Sequence, residues 1–274
     1  MEQVFQAIVL GIVQGLSEFL PISSSGHLII VPYLLGWNDP FLDSLAFSVV
    51  LHAGTLLALL VYFREEWLRL IPAGLATIRD RSFRGDPERR LAWLIAVATV
   101  PAVIAGVLFN DVVENAVRQA GLVAVMLVIG AAILWLADRW GSRTKRVDGL
   151  GFPGALGIGL AQALALIPGV SRSGISISAA LFAGLTREDA ARFSFLMATP
   201  VTLGAVGYET LKLVRGEVVG VAIAPLVAGV VASFVAGILA ISVLLRYVQT
   251  HSYGVFVAYR IVVAALVLIV FLFR

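Results

Sequence analysis

The sequence predicts an all-α polytopic membrane protein, with six transmembrane helices and two re-entrant helical hairpins arranged as two inverted-topology repeats. Three observations favour this fold class. The chain has 274 residues, of which 60% are hydrophobic and only 14% are charged, whereas about a quarter of the residues in soluble domains are charged. Six apolar segments are long enough to cross a bilayer as helices. Two more are interrupted by proline, glycine and serine, as expected of helices that turn back inside a membrane.

The apolar segments predict where the chain crosses the membrane. The six predicted spans are residues 44–63, 91–109, 121–138, 190–211, 220–245 and 254–273. The interrupted segments are residues 1–36 and 150–185. Non-helical backbone survives at membrane depth only when it is buried in protein or lines a watery cavity. Each interrupted segment is therefore predicted to return to its side of entry, within one integral membrane domain that covers residues 1–274.

Basic residues predict the orientation of the chain. The predicted loop 64–90 holds seven arginines, and the predicted loop 139–148 holds three arginines and a lysine. Two predicted spans separate these loops, so both lie on one side, which the positive-inside rule assigns to the cytoplasm. An eight-span topology would also place them together, so charge alone leaves that alternative open.

The two halves of the chain look related, with one repeat at about residues 1–140 and the other at about 150–274. Each half contains one hairpin and three spans. Because three crossings are an odd number, the second half is expected to be inverted relative to the first. The two hairpin tips would then meet near the middle of the bilayer, where inverted repeats commonly place their sites.

Polar residues gather at the two interruptions. Residues 14–27 read QGLSEFLPISSSGH, and residues 162–174 read QALALIPGVSRSG. Both stretches pass from an apolar run into a proline, then serines, then a glycine. Burying an unpaired amide or hydroxyl costs about 2–7 kcal/mol. Their concentration here therefore predicts a functional site built from both tips.

The first tip offers groups for proton transfer. Gln14 and Glu18 are one helical turn apart and share a face, and His27 titrates near neutrality, as a general acid or base should. Each has a structural alternative. Glu18 could be a protonated side chain bonded to a neighbouring helix, and His27 could be a satisfied core histidine. The serines before Gly26 could cap a helix, which is compatible with anion binding at that helix start.

The second tip offers groups for binding an anion. Arg172 carries a planar fork of donors that suits phosphate, hydroxyls flank it, and Gly169 and Gly174 would let backbone N–H groups approach a ligand. The structural alternative is an ion pair between Arg172 and Glu18, which would still join the tips. Together the tips suit phosphoryl chemistry, which depends on charge stabilisation and positioning. Their membrane location indicates a phosphate carried on a lipid, with no organic cofactor and no nucleic acid.

Two more polar residues lie in predicted spans outside the tips. His52 lies within the span 44–63, where packing in the core is its default role and facing the site is the alternative. Arg260 lies in the last span and is expected to form an internal ion pair, with Glu209 as candidate, or to clamp backbone carbonyls.

At these residues the sequence resembles the undecaprenyl-diphosphatase family of bacitracin-resistance proteins. The family's first motif is E/Q-x-x-x-E followed by P-x-S-S-x-G-H, which matches residues 14–18 and 21–27 here. Its second motif, P-G-x-S-R-S-G-x-[S/T], matches residues 168–176. The resemblance extends over the whole chain. The first motif begins with Gln14 rather than glutamate, which weakens any scheme that needs two carboxylates there.

The resemblance implies an activity and a location. The family removes the terminal phosphate of undecaprenyl diphosphate, which regenerates the lipid carrier for peptidoglycan synthesis and confers bacitracin resistance. It implies a multi-pass protein of the bacterial inner membrane, two interlocked inverted repeats, and a site that opens to the extracytoplasmic side. It also implies a divalent cation, Mg²⁺ or Ca²⁺, with Glu18 as the candidate ligand. The oligomeric state is left open between a monomer and a homodimer.

The resemblance also suggests roles for individual residues. Glu18, His27, Arg172 and Ser24 are the candidate catalytic residues, with Ser24 as nucleophile and His27 as its base. Direct attack by water or by His27 stays open as an alternative. The candidate substrate-binding residues are Gln14, Ser23, Ser25, Gly26, Ser171, Ser173, Gly174 and Ser176.

Three other functions compete with a diphosphatase. A PAP2-type lipid phosphatase would need a Lys-x6-Arg-Pro motif and a second histidine with an aspartate, which the sequence lacks. A transporter or flippase of lipid phosphates could use the same inverted repeats, but it would move its substrate without releasing phosphate. An intramembrane serine protease would leave Arg172 without a role.

Overall fold

The computed structural model describes residues 1–83, 85–115, 119–215 and 223–273. Arg84 of the predicted loop 64–90 and residues 220–222 of the predicted span 220–245 lie outside these ranges. Within them the secondary structure is almost entirely helical. The helices are α1 (Glu2–Phe19), α2 (Ser24–Leu35), α3 (Leu45–Tyr62), α4 (Arg64–Asp80), α5 (Pro87–Asn115), α6 (Ala120–Trp140), α7 (Phe152–Ala163), α8 (Arg172–Phe182), α9 (Arg187–Val214), α10 (Ile223–Thr250) and α11 (Gly254–Phe273).

The helices confirm a multi-pass membrane protein with five or six spans. Five stretches of the described chain are long and apolar enough to cross a membrane, and they are Pro87–Phe109, Ala120–Trp140, Arg187–Lys212, Ile223–Thr250 and Gly254–Phe273. A sixth span results only if Ala46–Tyr62 and Arg64–Asp80, which meet at an 82° bend, are counted as one. Four of the predicted spans thus coincide with a helix over their whole length, and the fifth does so where it is described.

The segment predicted as the loop 64–90 is mostly helical, which corrects that expectation. Helix α4 occupies Arg64–Asp80. Its apolar residues recur at helical spacing, at Leu68, Ile71 and Leu75, and this periodicity indicates an amphipathic helix. Two glutamates in the first turn and Arg79 in the last turn also complement the helix dipole. The high density of arginine hid this pattern in the sequence.

Both interrupted segments are pairs of helices that break where proline and serine predicted. The first break, between α1 and α2, contains Pro21, and Ser23 caps α2 by accepting from the Gly26 N–H at 3.3 Å. The second break precedes α8, which Ser171 caps by accepting from the Gly174 N–H at 3.0 Å. In each segment the helix before the break packs against the helix after it. The interruptions are therefore real, and a serine begins the second helix of each pair.

The two halves of the chain are interlocked. Helix α1 packs most extensively against α10, and α7 of the second half packs against α5 of the first. Glycine makes both contacts close. A Cβ added at Gly11 would overlap the Gly229 carbonyl oxygen, and one added at Gly159 would overlap that of Ala98. Each half therefore holds the broken segment of the other.

The largest buried apolar cluster anchors the first break. Phe19, the last residue of α1, packs edge-on against Phe195 of α9, with ring centroids 5.3 Å apart. Phe63 and Phe193 belong to the same cluster. This packing fixes the end of α1 beside the middle of α9, and so sets the position of Glu18.

Candidate active site

The two breaks meet in the structure, as the sequence predicted. The Gly169 N–H of the second break donates to the Ser23 hydroxyl of the first at 3.2 Å. In return, the Ser173 hydroxyl donates to the Leu20 carbonyl at 3.1 Å. Residues about 150 positions apart thus form one hydrogen-bonded unit, which we call the two-tip site.

Glu18 is the buried centre of the two-tip site. Its Oε2 accepts hydrogen bonds from the Gln14 amide at 3.0 Å and from the Ser24 hydroxyl. Its Oε1 accepts from Arg172, so the ion pair considered as a structural alternative is present. His52 Nε2 lies 3.4 Å from Oε2. One carboxylate thus faces a guanidinium and an imidazole.

Arg172 joins the second break to α9 while keeping donors free. Its Nη1 donates to the Thr202 hydroxyl at 2.5 Å and to the Ala198 carbonyl at 3.4 Å. Its Nη2 donates to Glu18. The Nε–H and the second Nη2 hydrogen have no partner among the described residues, and the side chain is partly exposed. A guanidinium with two free donors at an open surface can bind a phosphate oxygen.

His27 and Ser24 are not hydrogen-bonded to each other in this structure. Its Nδ1 lies 2.8 Å from the Ser23 carbonyl and must donate to it, so Nε2, 2.9 Å from the Tyr259 hydroxyl, accepts in the neutral ring. The Ser24 hydroxyl donates instead to Glu18. The expected serine–histidine pair is therefore replaced here by a serine–glutamate pair, because Tyr259 occupies the nitrogen that Ser24 would need.

Most of the predicted substrate-binding residues are buried in the frame of the site. This holds for Gln14, Ser23, Ser171, Ser173 and Ser176. The Ser176 hydroxyl, for example, donates to the Arg172 carbonyl at 2.7 Å and lies 2.6 Å from that of Ser194. A Cβ on Gly26 would crowd Val123, and one on Gly174 would crowd Arg260. Contact of these residues with substrate stays a prediction.

The partly exposed polar side chains mark the side from which a ligand can approach. They are Ser24, Ser25, His52 and Arg172. Only Ser24 and Arg172 among them combine this exposure with the predicted catalytic roles, and both bond to Glu18. The accessible chemistry of the site is thus a hydroxyl and a guanidinium that share one carboxylate.

Arg260 ties both breaks to α6 as a carbonyl clamp. The fully buried guanidinium donates to the carbonyls of Pro21 in the first break and of Gly169 and Val170 in the second, at 2.9–3.2 Å. It also donates to the Leu127 carbonyl of α6 at 3.1 Å. One of the two predicted roles is therefore confirmed. The suggested pairing with Glu209 is wrong, since that carboxylate pairs with Lys212 at 3.2 Å.

Comparison with known proteins assigns the chain to a family. The family model described as Bacitracin resistance protein BacA matches residues 7–266. The chain belongs to this family. Three relatives carry the name undecaprenyl-diphosphatase. The protein of Gemmatimonas aurantiaca is 48% identical, and 96% of each chain is covered. That of Desulforudis audaxviator is 45% identical over 98% of each chain, and that of Geobacter sulfurreducens is 47% identical over 97%.

Three residues of this BacA-family site were missed or given other roles at the sequence level. For His52 the core was the default and the site the alternative; its Nε2 lies beside Glu18, while its Nδ1 donates to the Ser48 carbonyl one turn earlier at 2.7 Å. Thr202 and Tyr259 lie in apolar helices and gave no local signal. The one available signal was helical spacing: a polar residue that shares a helix face with other polar residues is a candidate for the site.

The donor set around Glu18 does not fit a resident divalent cation. Such ions take hard oxygen ligands, commonly one or two carboxylates together with substrate phosphates for Mg²⁺. Both Glu18 oxygens already accept from Arg172, Ser24 and Gln14. Within the described ranges, no cluster of three or more His, Cys, Asp or Glu side chains could hold an ion. The reaction proposed below therefore uses side chains of the chain itself.

Proposed function

We propose that this BacA-family protein hydrolyses undecaprenyl diphosphate to undecaprenyl phosphate and inorganic phosphate, and so recycles the lipid carrier of peptidoglycan synthesis and confers bacitracin resistance. The names of its relatives support this substrate. One observation carries the proposal from the structure. A hydrogen-bonded chain runs from Ser24 through Glu18 to Arg172 across two breaks in apolar helices. In this proposal the chain of bonds would supply a nucleophile, a base and an anion-binding group.

The first step uses Ser24 as the nucleophile and Glu18 as its base. Arg172 binds the diphosphate through its free donors and stabilises the charge on the terminal phosphate. As the anion draws Arg172 away from Glu18, the carboxylate becomes a stronger base. Ser24 Oγ then attacks the terminal phosphorus and passes its proton to Glu18, while the bond from that phosphorus to the bridging oxygen breaks. The prenyl monophosphate leaves, and the terminal phosphate stays on Ser24.

The second step releases that phosphate. Water attacks the phosphorus of phosphoserine, the bond to Ser24 Oγ breaks, and the serine regains a proton from Glu18. A proton from the attacking water passes to the medium or to inorganic phosphate. His27, held by the Ser23 carbonyl and Tyr259, stabilises the Ser23–Ser24 backbone in this scheme. Its proposed role as a direct base would require the Tyr259 contact to open.

The finer architecture is also proposed rather than shown. Six spans and two re-entrant hairpins would form inverted repeats at about residues 1–140 and 150–274, with the site open to the extracytoplasmic side of the inner membrane. The matched serine caps and the reciprocal packing of α1 on α10 and α7 on α5 support it. The chain has no cysteine, so single cysteines are clean probes. Asn38→Cys should react with an impermeant maleimide from outside, and Thr144→Cys only from inside.

The decisive experiment measures phosphate released from undecaprenyl diphosphate by the purified protein in detergent micelles. Ser24→Ala should lower turnover by about a thousandfold or more, roughly 4 kcal/mol of transition-state stabilisation. Ser142→Ala, at an exposed loop serine outside the two-tip site, is the control and should stay near wild type. Turnover of Ser24→Ala near wild type would exclude a serine nucleophile.

Two further comparisons in the same assay test the metal requirement and the enzyme assignment. Parallel reactions with a chelator decide whether Mg²⁺ or Ca²⁺ is needed, as the family resemblance implies. If the folded wild type releases no phosphate with any metal, the enzyme assignment is wrong and lipid transport becomes the leading alternative.

A further inference from the structure

A cavity of about 500 Å³ lies at the start of α9, outside the two-tip site. Its most numerous charged lining residues are arginines, from the loop after α6 and from the first turns of α9. We call this cavity the arginine pocket. It is lined by Arg143, Arg146, Thr186, Arg187, Glu188, Asp189, Arg192, Val248 and Gln249.

The arginine pocket is well separated from the two-tip site. The distance between the two sites can be estimated along two different helices. On α9, Arg187 lines the pocket and Thr202 contacts Arg172. On α6, Leu127 contacts Arg260, and the helix ends at Trp140, shortly before the pocket loop. At 1.5 Å of rise per residue, both intervals correspond to roughly 20 Å.

The carboxylates of the pocket are already engaged. Glu188 accepts from the Gln249 amide at 3.1 Å, and Asp189 accepts from the Thr186 hydroxyl at 2.9 Å. In contrast, Arg143 and Arg146 are exposed, and neither guanidinium has a hydrogen-bond or ion-pair partner among the described residues. The cavity is therefore lined by two arginines whose N–H donors are unused, while its two carboxylates already accept hydrogen bonds from other side chains.

The wall that carries Arg187 is held rigidly. Arg187 pairs with Asp138 at the end of α6 at 2.6 Å. The other oxygen of Asp138 accepts from the Tyr253 N–H at 3.1 Å, and the Tyr253 hydroxyl donates to the Arg187 carbonyl at 3.1 Å. Burial, together with the nearby Asp138, raises the pKa of Tyr253, so the hydroxyl stays protonated as a donor.

The loop that carries Arg143 and Arg146 is fixed to the same wall. The Lys145 N–H donates to the Gly184 carbonyl at 2.9 Å, and the Thr186 N–H donates to the Lys145 carbonyl at 3.0 Å. A ligand that bound here would not have to order this part of the loop backbone, and such pre-organisation favours binding.

An exposed tryptophan indicates that the pocket lies near the membrane surface. Trp140, at the end of α6, is 68% exposed. Tryptophan and tyrosine are enriched at the interface between bilayer and water. Anionic phospholipids attract basic residues at that level.

We propose that the arginine pocket binds a phosphate-bearing anion, either the headgroup of an anionic phospholipid or a soluble phosphate. Arg143 and Arg146 would donate in the forked geometry that suits phosphate. Arg187 and Arg192, which pair with Asp138 and Glu66, would form the wall behind them. The site is independent of the phosphatase chemistry proposed above.

The test compares lipids and soluble anions on the full chain in a non-ionic detergent. Native mass spectrometry counts bound phosphatidylglycerol against phosphatidylcholine with the same acyl chains. The thermal unfolding midpoint is followed in parallel with added inorganic phosphate or pyrophosphate. The test variant is Arg143→Gln with Arg146→Gln. The matched control, Arg64→Gln with Arg79→Gln, removes the same charge from exposed positions outside the pocket.

Wild type and control should retain phosphatidylglycerol at least about fivefold better than phosphatidylcholine, or unfold at a higher temperature with a soluble phosphate. The test variant should lose that response. Response to the lipid alone identifies a headgroup, and response to the soluble anions identifies free phosphate. The proposal is overturned if neither arm responds, or if the test variant responds as strongly as the control. Should the double variant fail to fold, Arg146→Gln alone answers the same question.

Discussion

The two breaks use the same backbone to present different chemistry. Ser23 and Ser171 both have positive φ angles, 77° and 76°, and both accept from the N–H three residues later. The next residue is Ser24 in the first break and Arg172 in the second. The first helix start thus presents a hydroxyl and the second a cation, and Glu18 binds both. Two breaks that are capped alike but differ at the next residue thus supply two different groups to one site.

Among the variants that test this comparison, the largest effect is expected when the ion pair between Glu18 and Arg172 is removed. Glu18→Gln and Arg172→Gln should each lower phosphate release by a hundredfold or more, about 2.7 kcal/mol. Because groups that act as a unit are not additive, the double variant should be little worse than either single one. Additive losses in the measured turnover numbers would show that the residues act separately.

The next effect concerns the clamp that both breaks share. Arg260→Lys replaces five donors by three and leaves carbonyls of the breaks without partners, at about 1–3 kcal/mol for each buried group. We expect the thermal unfolding midpoint to fall by several degrees. Arg246→Lys, in a neighbouring helix and without a bond to either break, is the control. An unchanged midpoint for Arg260→Lys would mean that the breaks hold each other without the clamp.

The capping serines should differ by a smaller amount. Ser171→Ala removes one cap, at about 1 kcal/mol. Ser23→Ala should cost more, because the Ser23 hydroxyl also accepts from Gly169 of the other break. At either position glycine should be tolerated better than alanine, since φ is positive. The thermal unfolding midpoints of the four variants check this order of stability. Equal decreases for Ser23→Ala and Ser171→Ala would contradict the larger cost expected at Ser23.

The smallest effect is expected at His52, which contacts only the first break. His52→Gln keeps a donor near Glu18 but removes an ionisable ring, so turnover should fall by less than about tenfold. His251→Gln, on an exposed loop histidine, is the control. A loss as large as that of Arg172→Gln would make His52 a principal member of the site.

Much of the site could be predicted because its polar residues stand out against apolar sequence. Glu18, His27 and Arg172 were recognisable for that reason, and the breaks at Pro21 and Pro168 because proline interrupts helices. The hydrogen-bond partners of these residues were harder to predict. The sequence suggested His27 for Ser24, since the two are close in the chain. In the structure the Ser24 hydroxyl donates to Glu18, and His27 Nε2 is hydrogen-bonded to the Tyr259 hydroxyl of α11 instead.

By itself, the sequence determined the helical membrane class, the positions of the two breaks and the residue types gathered there, because hydropathy and proline act locally. The sequence analysis did not predict the helix α4, because the many arginines of residues 64–90 suggested a cytoplasmic loop. Only the tertiary structure decided which groups pair. Hydrogen bonds between Glu18 and Arg172, or between Arg260 and both breaks, join residues about 90–240 positions apart. Such contacts depend on how α1, α8 and α11 pack, and no local pattern encodes that packing.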